Sequence, residues 1–333
     1  MTITQDNVIR MPDSRGKREP TLPIKSVDEI MEEAGETVPW IVEDILARGA
    51  LTDFYGPAKR GGKTTFWTHT IAAGARGDDI ADFGTTPARC LYLTEQGSNF
   101  ALSLESSGLS ECGDYVSVVQ YKDVSDFQWK NLITNAAQDC QEQGFDALVV
   151  DTFARFAKLK GSEENEAGPV LDRMRVLALE AQEHGIGIVM VRHAGKDGNA
   201  RGSSAFEGEA DIVVGISRPE GNHPPNMRKL AGIGRYGEWE RVIELTEKGY
   251  ISHGDDQKVQ FNRAVKLIMS VLTPTPDTRK RHIMDARNPN DGISAATMDR
   301  ALKWLTEEKK TIGAKQDMHL QGKPWVYWKA EPN

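Results

Sequence analysis

The chain has 333 residues, 39% hydrophobic and 27% charged, a composition that describes a globular protein with ample material for a core and length for about two domains. No run of about 18 apolar residues occurs, so no membrane-spanning helix is expected. The polar stretch 1–20 has no apolar segment of secretory type. Cys90, Cys112 and Cys140 are few, scattered and without metal-type spacing, which points to a reducing cytoplasm. The net charge of −8 disfavours a nucleic-acid partner only if it is spread evenly, and it is not. Residues 258–333 hold 14 Lys/Arg against 8 Asp/Glu, a net of +6, leaving −14 on the rest. A basic C-terminal module can approach phosphate backbones; the alternative is a solvated basic face.

In chain order, residues 1–22 read as a flexible arm and 24–34 as a short helix. Apolar stretches follow at 38–42 and 45–46. A strand is expected at 51–55, then a glycine-rich loop and a helix over 64–75. Buried-type strands follow at 90–94, 116–119, 147–150, 187–191 and 211–216. Between them lie a helix over 127–143, closed by Gly144 as C-cap, and one over 169–184 with Leu171, Met174, Leu177 and Leu179 near helical spacing. Continuous apolar strands alternating with helices predict an α/β fold with a mostly parallel sheet covered on both faces. Residues 226–251 change to short β-like runs and predict an antiparallel extension. A different unit begins near 258. In it Ser294 can cap a helix that buries Met298, Ala301, Leu302 and Leu305, and 311–329 reads as a hairpin turning near Gly322 and Lys323. The expected organisation is an arm (1–22), an α/β domain (23–255) and a winged-helix-like, basic domain (258–333).

The loop Tyr55-Gly56-Pro57-Ala58-Lys59-Arg60-Gly61-Gly62-Lys63-Thr64-Thr65 carries the most chemistry. Between a strand and a helix, a glycine-rich turn leaves backbone N–H groups free for phosphate oxygens, and the helix N-terminus adds partial positive charge. Lys63 would reach the β/γ-phosphates of ATP, and the Thr64 hydroxyl would ligate Mg²⁺. The expected nucleotide-binding residues are therefore Gly56, Lys59, Arg60, Gly61, Gly62, Lys63, Thr64 and Thr65. The loop starts irregularly: Pro57, which has no N–H, stands where the motif has glycine, and Gly56 comes one residue early.

Further along, 145–152 has the form of an apolar strand ending in an acid, Asp151, at the sheet edge where α/β proteins place ligands. Asp151 there would hold Mg²⁺ together with Thr64. Glu95 ends the strand 90–94 and is placed to polarise the attacking water, with Gln96 as the alternative. His193 ends another strand and can hydrogen-bond the γ-phosphate. Arg201, or Lys196, lies on a following loop and can enter a neighbouring subunit's site as a finger.

Taken together, Val38-Pro39-Trp40, the loop 59–65, Leu93-Thr94-Glu95, Val149-Val150-Asp151-Thr152, Arg192-His193-Ala194-Gly195-Lys196 and Arg201-Gly202-Ser203-Ser204 resemble the RepA-like branch of RecA-fold ATPases, over roughly 38–250. That branch includes hexameric replicative helicases of plasmids and related phage or mobile-element proteins. The resemblance implies a RecA-like core, ATP sites at subunit interfaces, and a homo-oligomeric ring. It also implies catalytic roles for Lys63, Glu95, His193 and a trans-acting Arg201. The chain departs from it in the loop's irregular start and in Arg192, which replaces the first of two histidines often found there. In such cores the loops here numbered 153–165 and 195–204 face a central channel, so Arg155, Lys158, Lys160, Lys196 and Arg201 can track single-stranded DNA, against the acidic Glu163, Glu164 and Glu166. The expected function is a DNA-dependent ATPase, a replicative DNA helicase or replication protein of a mobile element. The alternative is an ATP-switched DNA-binding initiator or regulator.

Overall fold

A computed structural model describes residues 22–34, 37–194, 205–288, 292–319 and 322–330. The chain divides into two compact units, Met1–Val38 and Pro39–Asn333. The first contains α1 (Val27–Ala34). Ser26 starts it through a reciprocal cap: the Ser26 hydroxyl accepts the Glu29 N–H at 3.2 Å and the Glu29 carboxylate accepts the Ser26 N–H at 2.6 Å. This is why the helix expected from residue 24 begins at 27.

The second unit opens with the antiparallel pair β1 (Trp40–Val42) and β2 (Leu46–Ala47), then runs through β3 (Leu51–Gly56), α2 (Lys63–Arg76), β4 (Cys90–Thr94), α3 (Asn99–Ser106), β5 (Val116–Gln120), α4 (Tyr121–Val124) and α5 (Trp129–Gln143). It continues with β6 (Ala147–Asp151), α6 (Phe153–Phe156), α7 (Ala167–His184), β7 (Gly187–His193), α8 (Ala205–Glu209), β8 (Ile212–Ser217), β9 (Met227–Gly234), β10 (Gly237–Thr246) and β11 (Gly249–Ser252). Nine strands form one sheet in the order β11-β10-β9-β8-β3-β7-β6-β4-β5. From β8 to β5 all neighbours are parallel; β8–β9, β9–β10 and β10–β11 are antiparallel. The expected α/β architecture and its antiparallel extension are both present.

Alternate side chains of the parallel strands fill two cores, as period-2 pleating requires. On one face Phe54, Val149, Val191 and Val214 pack with Phe66 and Trp67 of α2; on the other Leu51, Leu148, Val150 and Met190 pack with α5 and α7. α7 starts two residues before Pro169, because proline is tolerated in a helix's first turn, where its missing N–H has no intrahelical role. α5 ends on Gly144 in the left-handed conformation, as expected. β7 runs on past residue 191 because β3 continues to pair with it up to Gly56 opposite His193.

Among the described residues, a buried charged pair lies inside the sheet. Arg192 of β7 donates from Nε and Nη2 to the two carboxylate oxygens of Asp53 on β3, at 2.7 and 2.6 Å. Its guanidinium lies 4.0 Å from the Phe206 ring centre of α8 and 5.1 Å from that of Tyr55. Burial pushes the Asp53 carboxyl up from its ordinary value, and Arg192 opposes that push. Arg192 is thus engaged inside the sheet with β3.

The chain ends with α9 (Asp256–Val271), β12 (Thr278–Arg279), α10 (Lys280–Asp285), α11 (Ala295–Lys303), β13 (Ile312–Gln316) and β14 (Trp325–Lys329), the three strands forming a separate sheet in the order β12-β14-β13. Ser294 caps α11 by accepting the Thr297 N–H at 3.0 Å. Met298, Ala301, Leu302 and Leu305 are buried with Ala264, Ile268, Ile283 and Ile312 in a core of their own. The hairpin expected over 311–329 is β13 and β14. Among the described residues no helix is long and apolar enough to cross a membrane.

The Asp53–Arg192 pair yields a stability prediction. Arg192→Leu strands a buried carboxylate and should lower unfolding free energy by about 3–5 kcal/mol, whereas Asp53→Leu/Arg192→Leu recovers most of that loss. Denaturant unfolding of the three proteins checks it; equal losses in the single and double variants would contradict the pairing.

Candidate functional site

β3 ends at Gly56, and a Cβ there would lie 2.6 Å from both Cγ2 and the carbonyl oxygen of Ile216 on β8. The early glycine is therefore required by strand packing. Its carbonyl accepts the Ala194 N–H at 2.9 Å and Lys63 Nζ at 3.0 Å, so Gly56 forms the floor beneath the loop. The loop then turns tightly: the Gly61 N–H donates to Pro57 O at 3.1 Å, and a Cβ on Gly61 would come within 2.7 Å of that oxygen. Lys59 and Gly62 take left-handed backbone angles, φ 59° and 78°, and Gly62 is the residue preceding α2. Glycine suits the second of these positions because it pays no Cβ penalty there.

Residues of four strand ends and the start of α2 meet above that floor. Lys63 is 6% exposed, and its ammonium donates to Gly56 O and Pro57 O, each at 3.0 Å, and to His193 Nδ1 at 3.2 Å. An ammonium has only donors, so Nδ1 is the acceptor and the neutral ring carries its proton on Nε2. Burial pulls the Lys63 pKa down, while Asp151 and Glu95 oppose it. Burial also lowers His193, and the neighbouring Lys63 charge adds to the effect. Asp151 Oδ2 accepts two hydroxyls, from Thr64 at 2.6 Å and Tyr92 at 2.9 Å. Gln96 Nε2 donates to Thr64 Oγ1 at 3.1 Å, and the Glu95 N–H donates to Asp151 O at 2.8 Å. The Glu95 side chain is exposed on the lining of the cleft.

The cleft has a volume of ≈ 320 Å³ and is lined by Pro57, Ala58, Lys59, Gly62, Lys63, Thr64, Thr65, Glu95, Gln96, Ser103, Asp151, Thr152 and His193. Most of the residues expected at the site thus meet there. Gly56, Arg60 and Gly61 are not part of the lining: Gly56 is the floor, Gly61 is buried in the turn, and Arg60 is exposed. Arg201 and Lys196 lie outside the described residues. A second hollow of ≈ 550 Å³ adjoins the cleft, sharing Glu95, Thr152 and His193, and is lined by Tyr121, Arg155, Lys158 and Lys160 among others. The Arg155 guanidinium stands 4.6 Å from the Tyr121 ring centre.

The donor set fits a nucleotide phosphate with Mg²⁺. A hydroxyl and a carboxylate oxygen in direct contact are hard oxygen ligands of the kind Mg²⁺ takes, and a buried ammonium at a helix start suits phosphate. Ser103 and Thr152 of the lining were not expected from the sequence, and neither were two contacts that support the site. Tyr92 faces Asp151 from β4 inside a continuous apolar run, and Arg228 of β9 donates from Nε to Gly61 O at 3.1 Å from 167 residues away. Neither position has a local pattern that signals the contact.

A family model described as "AAA domain" (AAA_25) matches residues 17–199, more than half of the chain. The chain belongs to this AAA-domain family. With its glycine-rich phosphate loop, its acid-ended strand and its mostly parallel sheet it is a P-loop ATPase. No curated protein matches the sequence. Among solved structures it is similar to a KaiC-like protein from the hyperthermophilic archaeon Pyrococcus horikoshii OT3, with 16% identity, covering 65% of this chain and 99% of that one at a TM-score of 0.46.

The Lys63–His193 contact predicts a pH response. His193 should titrate below its ordinary value of 6.5, and Lys63→Ala should bring it back toward that value. A histidine whose pKa is lowered by folding binds fewer protons folded than unfolded. Its contribution to stability is therefore full above about pH 6.5 and falls as pH drops through that value. Ring-proton NMR titration of both proteins checks this, and an unshifted His193 in the parent would contradict it.

Proposed function

We propose that this ATPase hydrolyses ATP to move on single-stranded DNA, as a RepA-like replicative helicase or replication protein of a mobile element, working in the cytoplasm as a homo-oligomer. The observation that carries this reading is the hollow beside the phosphate cleft. Its wall holds Arg155, Lys158 and Lys160, cations suited to a phosphate backbone, with the Arg155 guanidinium packed over the Tyr121 ring and Glu164 as the opposing charge, and it shares Glu95 and His193 with the cleft. A backbone bound there would touch the same two side chains that face the nucleotide.

Within this reading Lys63 and the P-loop amides bind the phosphates, while Thr64 and Asp151 hold Mg²⁺. The bound metal supplies charge neutralisation on the phosphoryl oxygens. Glu95 orients and polarises the attacking water, and His193 reports whether the terminal phosphate is present. Arg201 of a neighbouring subunit stabilises charge on the transferring phosphoryl group. Tyr92 holds the Asp151 carboxylate in place. Residues 258–333 act as a winged-helix-like domain, supported by the order helix–strand–helix–helix–strand–strand and the net charge of +6.

That C-terminal order also favours a second reading, in which ATP only switches assembly and the basic module recognises a duplex site. Phosphate release measured without nucleic acid, with single-stranded DNA and with duplex DNA separates the two. The motor reading expects stimulation by single strands and a mass of several subunits with ATP-Mg²⁺. Slow hydrolysis indifferent to single strands, with a sequence-specific duplex footprint, would overturn it. Glu95→Gln should cut turnover by about 10²-fold or more while ATP binding persists; undiminished turnover would remove Glu95 from its role.

A further inference from the structure

The two glycines in series, Gly61 and Gly62, make their shared peptide the least constrained plane of the phosphate loop. No side chain at either position restricts its rotation, and Gly62 already sits at φ 78°. Which way that plane faces matters chemically. In a trans peptide the carbonyl and the N–H point in opposite directions, so holding the Gly61 carbonyl on one side sends the Gly62 N–H to the other.

Arg228 holds that carbonyl. It lies on β9, the first antiparallel strand beyond the parallel sheet, and its Nε donates to Gly61 O at 3.1 Å. Its Nη1 is anchored in turn on the carbonyls of Pro225 and Met227, each at 2.7 Å, so the guanidinium is fixed to its own strand and cannot follow the loop. The Tyr250 hydroxyl on β11 and the Arg228 side chain flank the point where a Gly62 Cβ would be, at 3.8 and 3.5 Å. Gly62 itself lines the phosphate cleft, while Gly61 does not.

We propose that Arg228 is a positioning residue of the phosphate site: it pins the Gly61–Gly62 peptide from behind, so that the Gly62 N–H faces the cleft as an anion donor. The inference rests on the reading of that cleft as a nucleotide site. It also gives the antiparallel extension a part in binding, and it offsets the irregular start of the loop, where Pro57 has no N–H to offer. The Arg228 cation adds attraction for an anion from just outside the lining.

The test uses the full chain with Arg228→Ala and Arg228→Gln. Glutamine carries its amide nitrogen at the same number of bonds from the backbone as arginine Nε, so it keeps the donor to Gly61 and removes the charge. In the nucleotide-free protein, Arg228→Ala should speed tryptic cleavage after Lys59 and Arg60 several-fold, because the freed loop samples more conformations. By calorimetry its affinity for ATP-Mg²⁺ should fall about tenfold, the loss expected for one hydrogen bond to a charged group. Arg228→Gln should restore the cleavage rate and most of the affinity, with the melting temperature of both variants close to the parent's. Parental cleavage and affinity in Arg228→Ala would overturn the proposal. So would equal losses in both variants together with a general fall in melting temperature, which would make Arg228 a fold residue only. If the parent chain binds no ATP, the nucleotide reading fails, and the cleavage comparison still decides whether Arg228 pins the loop.

Discussion

The register of four parallel strands is the constraint on which the site depends. β3, β7, β6 and β4 lie side by side so that Gly56 stands opposite His193, Asp151 opposite Val191, and Thr94 opposite Asp151. They end nearly level, and the residue at or just past each end faces the candidate cleft: the P-loop after β3, His193 on β7, Asp151 on β6, Glu95 after β4. A slip of one residue in any pair would turn the wrong side chain toward the cleft, because successive residues face opposite sides of a sheet. The two hydrophobic cores and the buried Asp53–Arg192 pair, which joins β3 to β7, oppose such a slip.

Within that frame the polar groups satisfy one another with little slack. A buried ammonium is costly unless it is paired and hydrogen-bonded, and Lys63 meets that requirement with two loop carbonyls and a neutral imidazole. Asp151 accepts two hydroxyls on one oxygen, from an adjacent strand and from the first turn of α2. Phosphate and metal at this edge would compete for groups already in contact, among them His193 at the end of β7.

Much of this was legible in the sequence because it is written locally. The strand Cys90–Thr94 and its flanking Glu95, the acid ending an apolar run at Asp151, the Gly-Gly-Lys-Thr helix entry and the change from buried runs to short β-like segments after residue 226 all leave patterns within a few residues. The Ser294 cap and its apolar stripe did so as well. What stayed hidden is long-range. Asp53 and Arg192 are 139 residues apart, and Arg228 and Gly61 are 167 apart. In the sequence Arg192 marks a departure from a pair of histidines, yet its side chain is committed to β3. Gly56 looked like a misplaced loop glycine; its spacing cannot show that Ile216 of a distant strand leaves no room for a side chain. Arg60 and Gly61 belong to the motif's stretch of sequence but not to the cleft lining, because a turn as tight as Gly61 N–H to Pro57 O carries them away from it.

The central claim is that one cleft per chain, between the P-loop and the strand ends carrying Glu95, Asp151 and His193, binds ATP through Mg²⁺. Calorimetric titration of ATP into the purified chain, with Mg²⁺ and again with excess chelator, tests it most directly. The account predicts one nucleotide per chain, bound markedly more tightly with Mg²⁺, and loss of that metal dependence in Thr64→Ala. Absence of binding at millimolar ATP, or binding indifferent to both Mg²⁺ and Thr64, would contradict it.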